Sequence, residues 1–342
     1  YACILDEAQA IKNHTTQKYK AVCGVNSKVR FALTGTPVEN RLGELWSIFS
    51  FLMPGYLPPY KSFCSRFEKP IVQEEDQTAV RRLNQLTGPF ILRRMKADVL
   101  KELPPKTENV YRIELEEEQR KLYLAAVVDA REKLRAAKPE DKMAVFAVLM
   151  RLREICCDPR LIADNWEGGS AKLDACVELI TGAVEGGHRI LLFSQFTSML
   201  ELLAKRLDAE GISHFTLQGS TPKPVRAELV RRFNGGEVSV FLISLRAGGT
   251  GLNLTAADIV IHYDPWWNVA AQNQATDRAY RIGQQNPVQV YKLIAQDTIE
   301  EKIVELQQAK QSLADTVTGT ADGAILSMRP DELLQLLEGS EG

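Results

Sequence analysis

The feature that most constrains this chain is a recurrence in its second half. Arg189-Ile190-Leu191-Leu192-Phe193 is a continuous apolar run, and further strand signals follow at about His214 to Leu217, Val238 to Ser244, Ile259 to Tyr263 and Val288 to Ile294. Runs this short without polar alternation are strands covered on both faces. Between them lie apolar stripes at helical spacing: Leu173, Val177, Ile180 and Val184, then Met199, Leu202, Leu203 and Leu207. Strand and helix in alternation predict an α/β fold built on a parallel sheet.

The first half begins in the same manner and then departs from it. Tyr1 to Leu5 is apolar and ends in Asp6-Glu7, as a buried strand does when its carboxyl end reaches a site. A core strand rarely opens a protein, so further sequence upstream is expected. Lys28 to Leu33 reads as a second strand ending in Thr34-Gly35-Thr36-Pro37, followed by a helix with Leu42, Leu45, Trp46 and Phe49 on one face. From about Pro54 to Gly169 the pattern becomes helices with charged faces, including Glu116 to Leu134 and Asp141 to Cys156, joined by Leu103-Pro104-Pro105. The expected layout is an incomplete first lobe over 1–53 and a helical insertion and linker over 54–169. A second lobe over 170–320 and a bracing helix within 321–342 complete it.

With 45% apolar residues the 342-residue chain can bury a substantial core. Its 42 basic and 44 acidic residues leave a net charge of −2, so a nucleic-acid partner must be held by local patches. The six cysteines show no C-x-x-C spacing and the four histidines no paired spacing, so no structural metal is expected. No apolar run approaches the roughly 18 residues that span a bilayer. An intracellular protein without a membrane partner is the expectation.

Chemistry gathers at the expected strand ends. Asp6-Glu7 matches what phosphoryl-transfer motors need, one carboxylate for magnesium and one to polarise the attacking water, although a helix N-terminal cap reads the same way. In Gln274-Ala275-Thr276-Asp277-Arg278-Ala279-Tyr280-Arg281-Ile282-Gly283-Gln284, Arg278 and Arg281 would share one face if helical. Two guanidinium forks so placed suit phosphates, and equally suit a solvated helix face. Three glycines in Ala247-Gly248-Gly249-Thr250-Gly251 allow backbone to approach a phosphate, or simply a tight turn. Asp264-Pro265-Trp266-Trp267-Asn268 sets two large rings in a loop, where they can enter a nucleic-acid groove or pack on a neighbouring helix.

Taken in order, DEAQ from Asp6, LTGTP from Leu33, ILLFSQF from Ile190, SLRAGGTGLNL from Ser244, DPWWN from Asp264 and QATDRAYRIGQ from Gln274 resemble helicase motifs two to six of Swi/Snf-type ATPases in helicase superfamily two. FILRRMKADVLKELPPK from Phe90 and LREICCDPRLI from Leu152 resemble that family's linking segments. The resemblance covers essentially the whole chain. It implies RecA-like parallel-sheet lobes and ATP with Mg2+ as substrate and cofactor. The implied motor is monomeric and moves on double-stranded DNA without full strand separation, displacing or remodelling bound proteins such as a polymerase or chromatin. By the same resemblance Asp6 coordinates magnesium, Glu7 activates water, and Arg278 and Arg281 are arginine fingers. Gly251 and Asn253 lie at the nucleotide edge, and Thr34, Thr36 and Gln274 couple hydrolysis to movement. Ser220, Thr221, Thr250 and Trp267 contact DNA.

Departures from the family pattern include Gln9 for histidine in the DEAH form, Met95 for threonine in LRR-T-K, Asp158 for histidine, Val269 for proline and Tyr280 for histidine. None removes a charged catalytic group. They point to a compact bacterial-type branch. A larger departure is that no G-x-x-x-x-G-K-[ST] occurs in the 342 residues, so the polypeptide by itself is expected to hydrolyse no ATP. An RNA helicase of the DEAD or DEAH sort is the nearest alternative, and Arg281-Ile282-Gly283-Gln284 with DPWWN disfavours it. A non-catalytic scaffold is another, disfavoured because Asp6, Glu7, Arg278 and Arg281 are all kept.

Overall fold

The computed structural model describes residues 1–35, 42–74, 76–92, 94, 100, 102–138, 141–163, 165–248, 251–307 and 330–338. They divide into two compact units, one within 1–99 with 306–307 and one within 100–305 with 330–338.

In the first unit β1 (Ala2–Leu5) pairs in parallel with β2 (Val29–Ala32), from Ala2 opposite Val29 to Leu5 opposite Ala32. The crossover between them carries the helix Gln17–Cys23, whose first turn is capped by Thr16 accepting from the Tyr19 amide at 3.3 Å. The strands alternate between exposed and half-buried residues rather than being buried, with Ile4 61% and Phe31 52% exposed. Two strands alone leave both edges and much of both faces uncovered. Apolar burial in this unit lies elsewhere. Leu42, Leu45 and Phe49 of the helix Leu42–Leu52 pack with Leu57, Phe63, Phe67 and Leu83.

The second unit is a six-stranded, wholly parallel sheet in the order β3-β8-β7-β4-β6-β5. Its strands are β3 (Lys106–Ile113), β4 (Ile190–Ser194), β5 (His214–Leu217), β6 (Val240–Ser244), β7 (Ile259–His262) and β8 (Val288–Ala295). Every residue of β4, β6 and β7 is buried. Alternate side chains feed two cores. Ile190, Leu192 and Leu242 meet Leu173, Ile180, Met199 and Leu203 of the helices Ala171–Glu185 and Thr197–Ala209. Leu191, Phe193 and Phe241 meet Phe233 and Ala275 on the opposite face.

One element corrects the expected layout. The stretch expected to be helical insertion and linker contains β3, an edge strand paired with β8 from Lys106 opposite Val288 to Ile113 opposite Ala295. Its sequence, Lys-Thr-Glu-Asn-Val-Tyr-Arg-Ile, has no apolar run because only Ile113 is buried. Backbone pairing holds it, together with Glu108 between Lys106 and Lys292, each at 2.7 Å. Burial alone would raise the Glu108 pKa, but these two ammonium partners outweigh it and hold the carboxyl at about 2. The helices expected over Glu116 to Leu134 and Asp141 to Cys156 are observed as Glu117–Ala136 and Lys142–Cys157, and the helix Pro330–Glu338 packs on the first of them. There Arg131 donates to the Leu337 carbonyl at 2.7 Å and Arg135 pairs with Glu338 at 3.1 Å.

Candidate active site

In the first unit the acidic pair sits where β1 ends. Both carboxylates are exposed, and Asp6 Oδ1 accepts from the Glu7 amide at 2.9 Å. Glu7 adopts left-handed backbone, φ 52°, an uncommon conformation for a residue with a side chain. The strand pair fixes that turn, since Leu33 donates to Leu5 at 2.7 Å and Ala8 donates to Leu33 at 2.9 Å. Gln9 then ties two motifs together. Its amide nitrogen donates to Glu7 Oε2 at 2.6 Å, and its carbonyl oxygen accepts from the Thr34 hydroxyl at 2.7 Å. Gln9 was expected only as a departure from the family pattern, and the structure makes it the bridge between the acidic pair and Thr34. Thr36 lies outside the described residues. Exposed carboxylate oxygens are the hard donors magnesium takes alongside substrate phosphates, so Asp6 fits that ion.

In the second unit the two arginines are not on a helix. The helix Val269–Thr276, which carries Gln274, stops before them, and Arg278 and Arg281 lie in the turns leading to β8. The helical ladder gives way to tertiary bonds. The Arg278 carbonyl accepts from Leu254 at 3.0 Å, and Gln284 Nε2 reaches the carbonyls of Thr255, Ala257 and Ala279 at 3.2, 2.8 and 3.2 Å. Arg281 Nη1 contacts the Leu252 carbonyl at 3.4 Å. The arginine turn and the segment from Gly251 to Leu254 therefore form one tied structure, anchored further by Asn234 Nδ2 on the Asn253 carbonyl at 2.8 Å. Gly251, at φ 28°, and Asn253 are exposed along it, Arg281 is half-buried, and Arg278 is 7% exposed. Thr250 lies outside the described residues.

Trp267 requires a correction. An exposed ring was one of the two readings of DPWWN, and the ring is 4% exposed. The guanidinium of Arg153 lies 4.3 Å from its centroid, and Phe196 lies 5.3 Å from the same guanidinium. Arg153, on the helix Lys142–Cys157, is fully buried and is the residue that sequence reasoning missed. It donates to Gln195 Oε1 at 2.6 Å, Asp264 Oδ2 at 3.0 Å and the Pro265 carbonyl at 2.6 Å. Asp264 in turn accepts from Ser194 Oγ at 2.6 Å and the Gln195 amide at 3.1 Å. One side chain thus joins the LREICC, FSQF and DPWW segments. The signal for it was an arginine beside the apolar stripe Leu149, Leu152 and Cys156, where charge needs a buried partner.

Ser220 and Thr221 follow β5 in a loop shaped by Arg226, which donates to the carbonyls of Thr221 at 2.7 Å, Gly219 at 2.8 Å and Gln218 at 3.3 Å. Ser220 is exposed, while Thr221 turns its hydroxyl inward to accept from the Gln218 amide at 3.0 Å. Among the described residues no group of three or more His, Cys, Asp or Glu side chains gathers as metal ligands, and no helix is long and apolar enough to cross a membrane.

Residues 1–161 match the SNF2-related domain and residues 171–283 the helicase conserved C-terminal domain. Over 97% of its length the chain is 36% identical to a Sulfolobus solfataricus SWI2/SNF2 ATPase core solved in complex with dsDNA, covering 71% of that chain with a TM-score of 0.58. The chain belongs to the SWI2/SNF2 family. Among curated relatives it is 39% identical to an uncharacterized ATP-dependent helicase of Mycoplasma genitalium, over 98% of this chain and 32% of that protein. It is also 37% identical to the mouse SWI/SNF-related matrix-associated actin-dependent regulator of chromatin subfamily A member 1, over 98% of this chain and 33% of that protein. The chain thus spans about a third of these relatives. The six-stranded parallel sheet agrees with the RecA-like lobe of SWI2/SNF2 ATPase cores.

Proposed function

We propose that this chain is the part of an ATP-driven double-stranded DNA translocase that carries the water-activating carboxylate and the arginine fingers. The reading is carried by one observation: Arg278 and Arg281 are bonded to the Gly251 to Leu254 segment in a chain 36% identical to an ATPase core solved with duplex DNA. Two always-charged forks held by a rigid turn stabilise the charge that develops on a transferring phosphoryl group. Glu7 polarises the attacking water, with Gln9 holding its carboxylate and linking it to Thr34. Asp6 holds magnesium, which neutralises phosphate charge when bound with the nucleotide. Gly251 and Asn253 border the nucleotide, and Thr34, Thr36 and Gln274 couple its hydrolysis to movement. Ser220, Thr221 and Thr250 grip DNA, and Trp267 acts on that grip through the loop it anchors on Arg153.

Movement along the duplex displaces or remodels bound proteins. Because the 342 residues hold no phosphate-binding loop, the chain alone hydrolyses no ATP. The test of substrate class is steady-state ATPase activity, measured with each polymer on a longer polypeptide in which this chain follows a phosphate-loop segment. Duplex DNA should stimulate turnover more than single-stranded RNA. Stronger stimulation by RNA would assign the motor to the RNA helicases.

A further inference from the structure

We propose that the first unit carries a docking cleft for an acidic peptide segment with an aliphatic anchor, a function separate from ATP hydrolysis. The cleft has a volume of about 1140 Å3 and lies between the loop at 55–59 and the helix Gln77–Thr87. That is slightly above the roughly 300–1,000 Å3 of drug-sized sites, room for a few side chains of an extended chain. Leu57, Phe67 and Leu86 give it an apolar lining, and Arg66 and Arg82 stand exposed around it. Neither guanidinium has a carboxylate or other hydrogen-bonding partner among the described residues. Two unpaired cationic forks around an apolar hollow focus positive potential and match carboxylates in pairs.

The local backbone supports a built feature. Arg66 and Phe67 belong to a π-helical turn, Cys64–Glu68, a rare geometry that concentrates at functional sites. The turn sends Phe67 into the core while Arg66 stays outside.

The aromatic residues decide between a peptide and a nucleic-acid strand. Bases bind by stacking on free ring faces. Trp46 is instead packed against Tyr60 at 5.2 Å and His14 at 5.5 Å, with its Nε1 donating to the Pro58 carbonyl at 2.8 Å. Tyr56 stands edge-on to Phe90 at 5.2 Å and spends its hydroxyl on the Leu86 carbonyl at 2.9 Å. Beside these engaged rings the lining offers Leu57, Pro58, Pro59 and Leu86, an aliphatic surface that complements a leucine-like side chain. A duplex is read through its grooves by protruding elements, and a concave cleft offers it none.

The experiment measures fluorescence anisotropy of a labelled peptide of alternating glutamate and leucine with the 342-residue chain, beside a counterpart with glutamine for glutamate. The acidic peptide should bind saturably, and at least about ten-fold more tightly than its neutral counterpart. Arg66→Gln with Arg82→Gln should cost at least about ten-fold in affinity without changing circular dichroism, because both residues are exposed. Independently of any variant, binding of the acidic peptide should weaken as salt is raised. No saturable binding, equal affinity for the two peptides, insensitivity to salt or an unaffected double variant would each overturn the proposal. A single-stranded oligothymidylate that binds more tightly than the acidic peptide, with the same dependence on Arg66 and Arg82, would also overturn it and assign the cleft to nucleic acid.

Discussion

The two sheets of this chain are both parallel and both end in chemistry, yet they are stabilised differently. In the second unit, three adjacent strands are buried throughout and helices cover both faces. Its arginine turn is tied to the segment from Leu252 to Ala257 by tertiary hydrogen bonds, and Arg278 is nearly inaccessible. In the first unit, two strands alternate between exposed and half-buried residues, and the acidic pair at their end is open to water. There the buried cluster is formed by helices and a loop, with no residue of either strand in it.

The sharpest way to break this comparison is to remove the mounted groups. In a longer polypeptide with a phosphate loop, Arg278→Ala or Arg281→Ala should lower DNA-stimulated turnover by about 10³ to 10⁵, roughly 4–7 kcal/mol of transition-state stabilisation. Lysine should rescue poorly because a point charge does not reproduce the fork. The double variant should be far less than additive if both serve one transition state. Near-normal turnover in either single variant would return that arginine to a structural role.

Next in size is Trp267→Ala, which should destabilise the second unit by about 3–5 kcal/mol, read by chemical denaturation, because the ring is packed on Arg153. An unchanged midpoint would favour an exposed ring after all. A matched pair then compares the sheets directly. Leu192→Ala, fully buried in β4, should cost about 2–5 kcal/mol, whereas Ile4→Ala in β1 should stay within about 0.5 kcal/mol. Equal costs would erase the distinction.

A pH slope should separate the sheets as well, because the second holds a buried histidine. Burial holds the pKa of His262, whose Nε2 meets Thr276 Oγ1 at 2.8 Å, down at about 3. The unfolded chain takes up that proton near pH 6.5, so stability is lost as pH falls from about 6.5 toward 3, by about 1.4 kcal/mol per unit. His262→Gln should flatten that slope in denaturation curves collected across the window.

What was legible in the sequence follows the same division. The run at 190 was legible to within one residue because a continuous apolar run reports two-sided burial directly, and the strand over His214 to Leu217 was read as observed although only Leu217 of it is buried. The edge strand β3 was missed because its side chains face water and its pairing is a backbone matter. The candidate catalytic residues were named from local motifs, but their mounts were not. Arg153 reaches Asp264 and Trp267 from a distant helix, and Gln9 joins Glu7 to Thr34 across two strands. The arginine spacing suggested one helix face. The helix ends at Thr276, and backbone groups that would extend it are engaged by Leu254 and Gln284.

The most direct test of the account is phosphate release measured with magnesium and duplex DNA on two polypeptides. One is the 342-residue chain alone, and the other is the same chain placed behind a phosphate-loop segment. The account predicts no hydrolysis above background by the first and DNA-stimulated turnover by the second, lost again in Glu7→Gln. Magnesium-dependent, DNA-stimulated hydrolysis by the chain alone would contradict it.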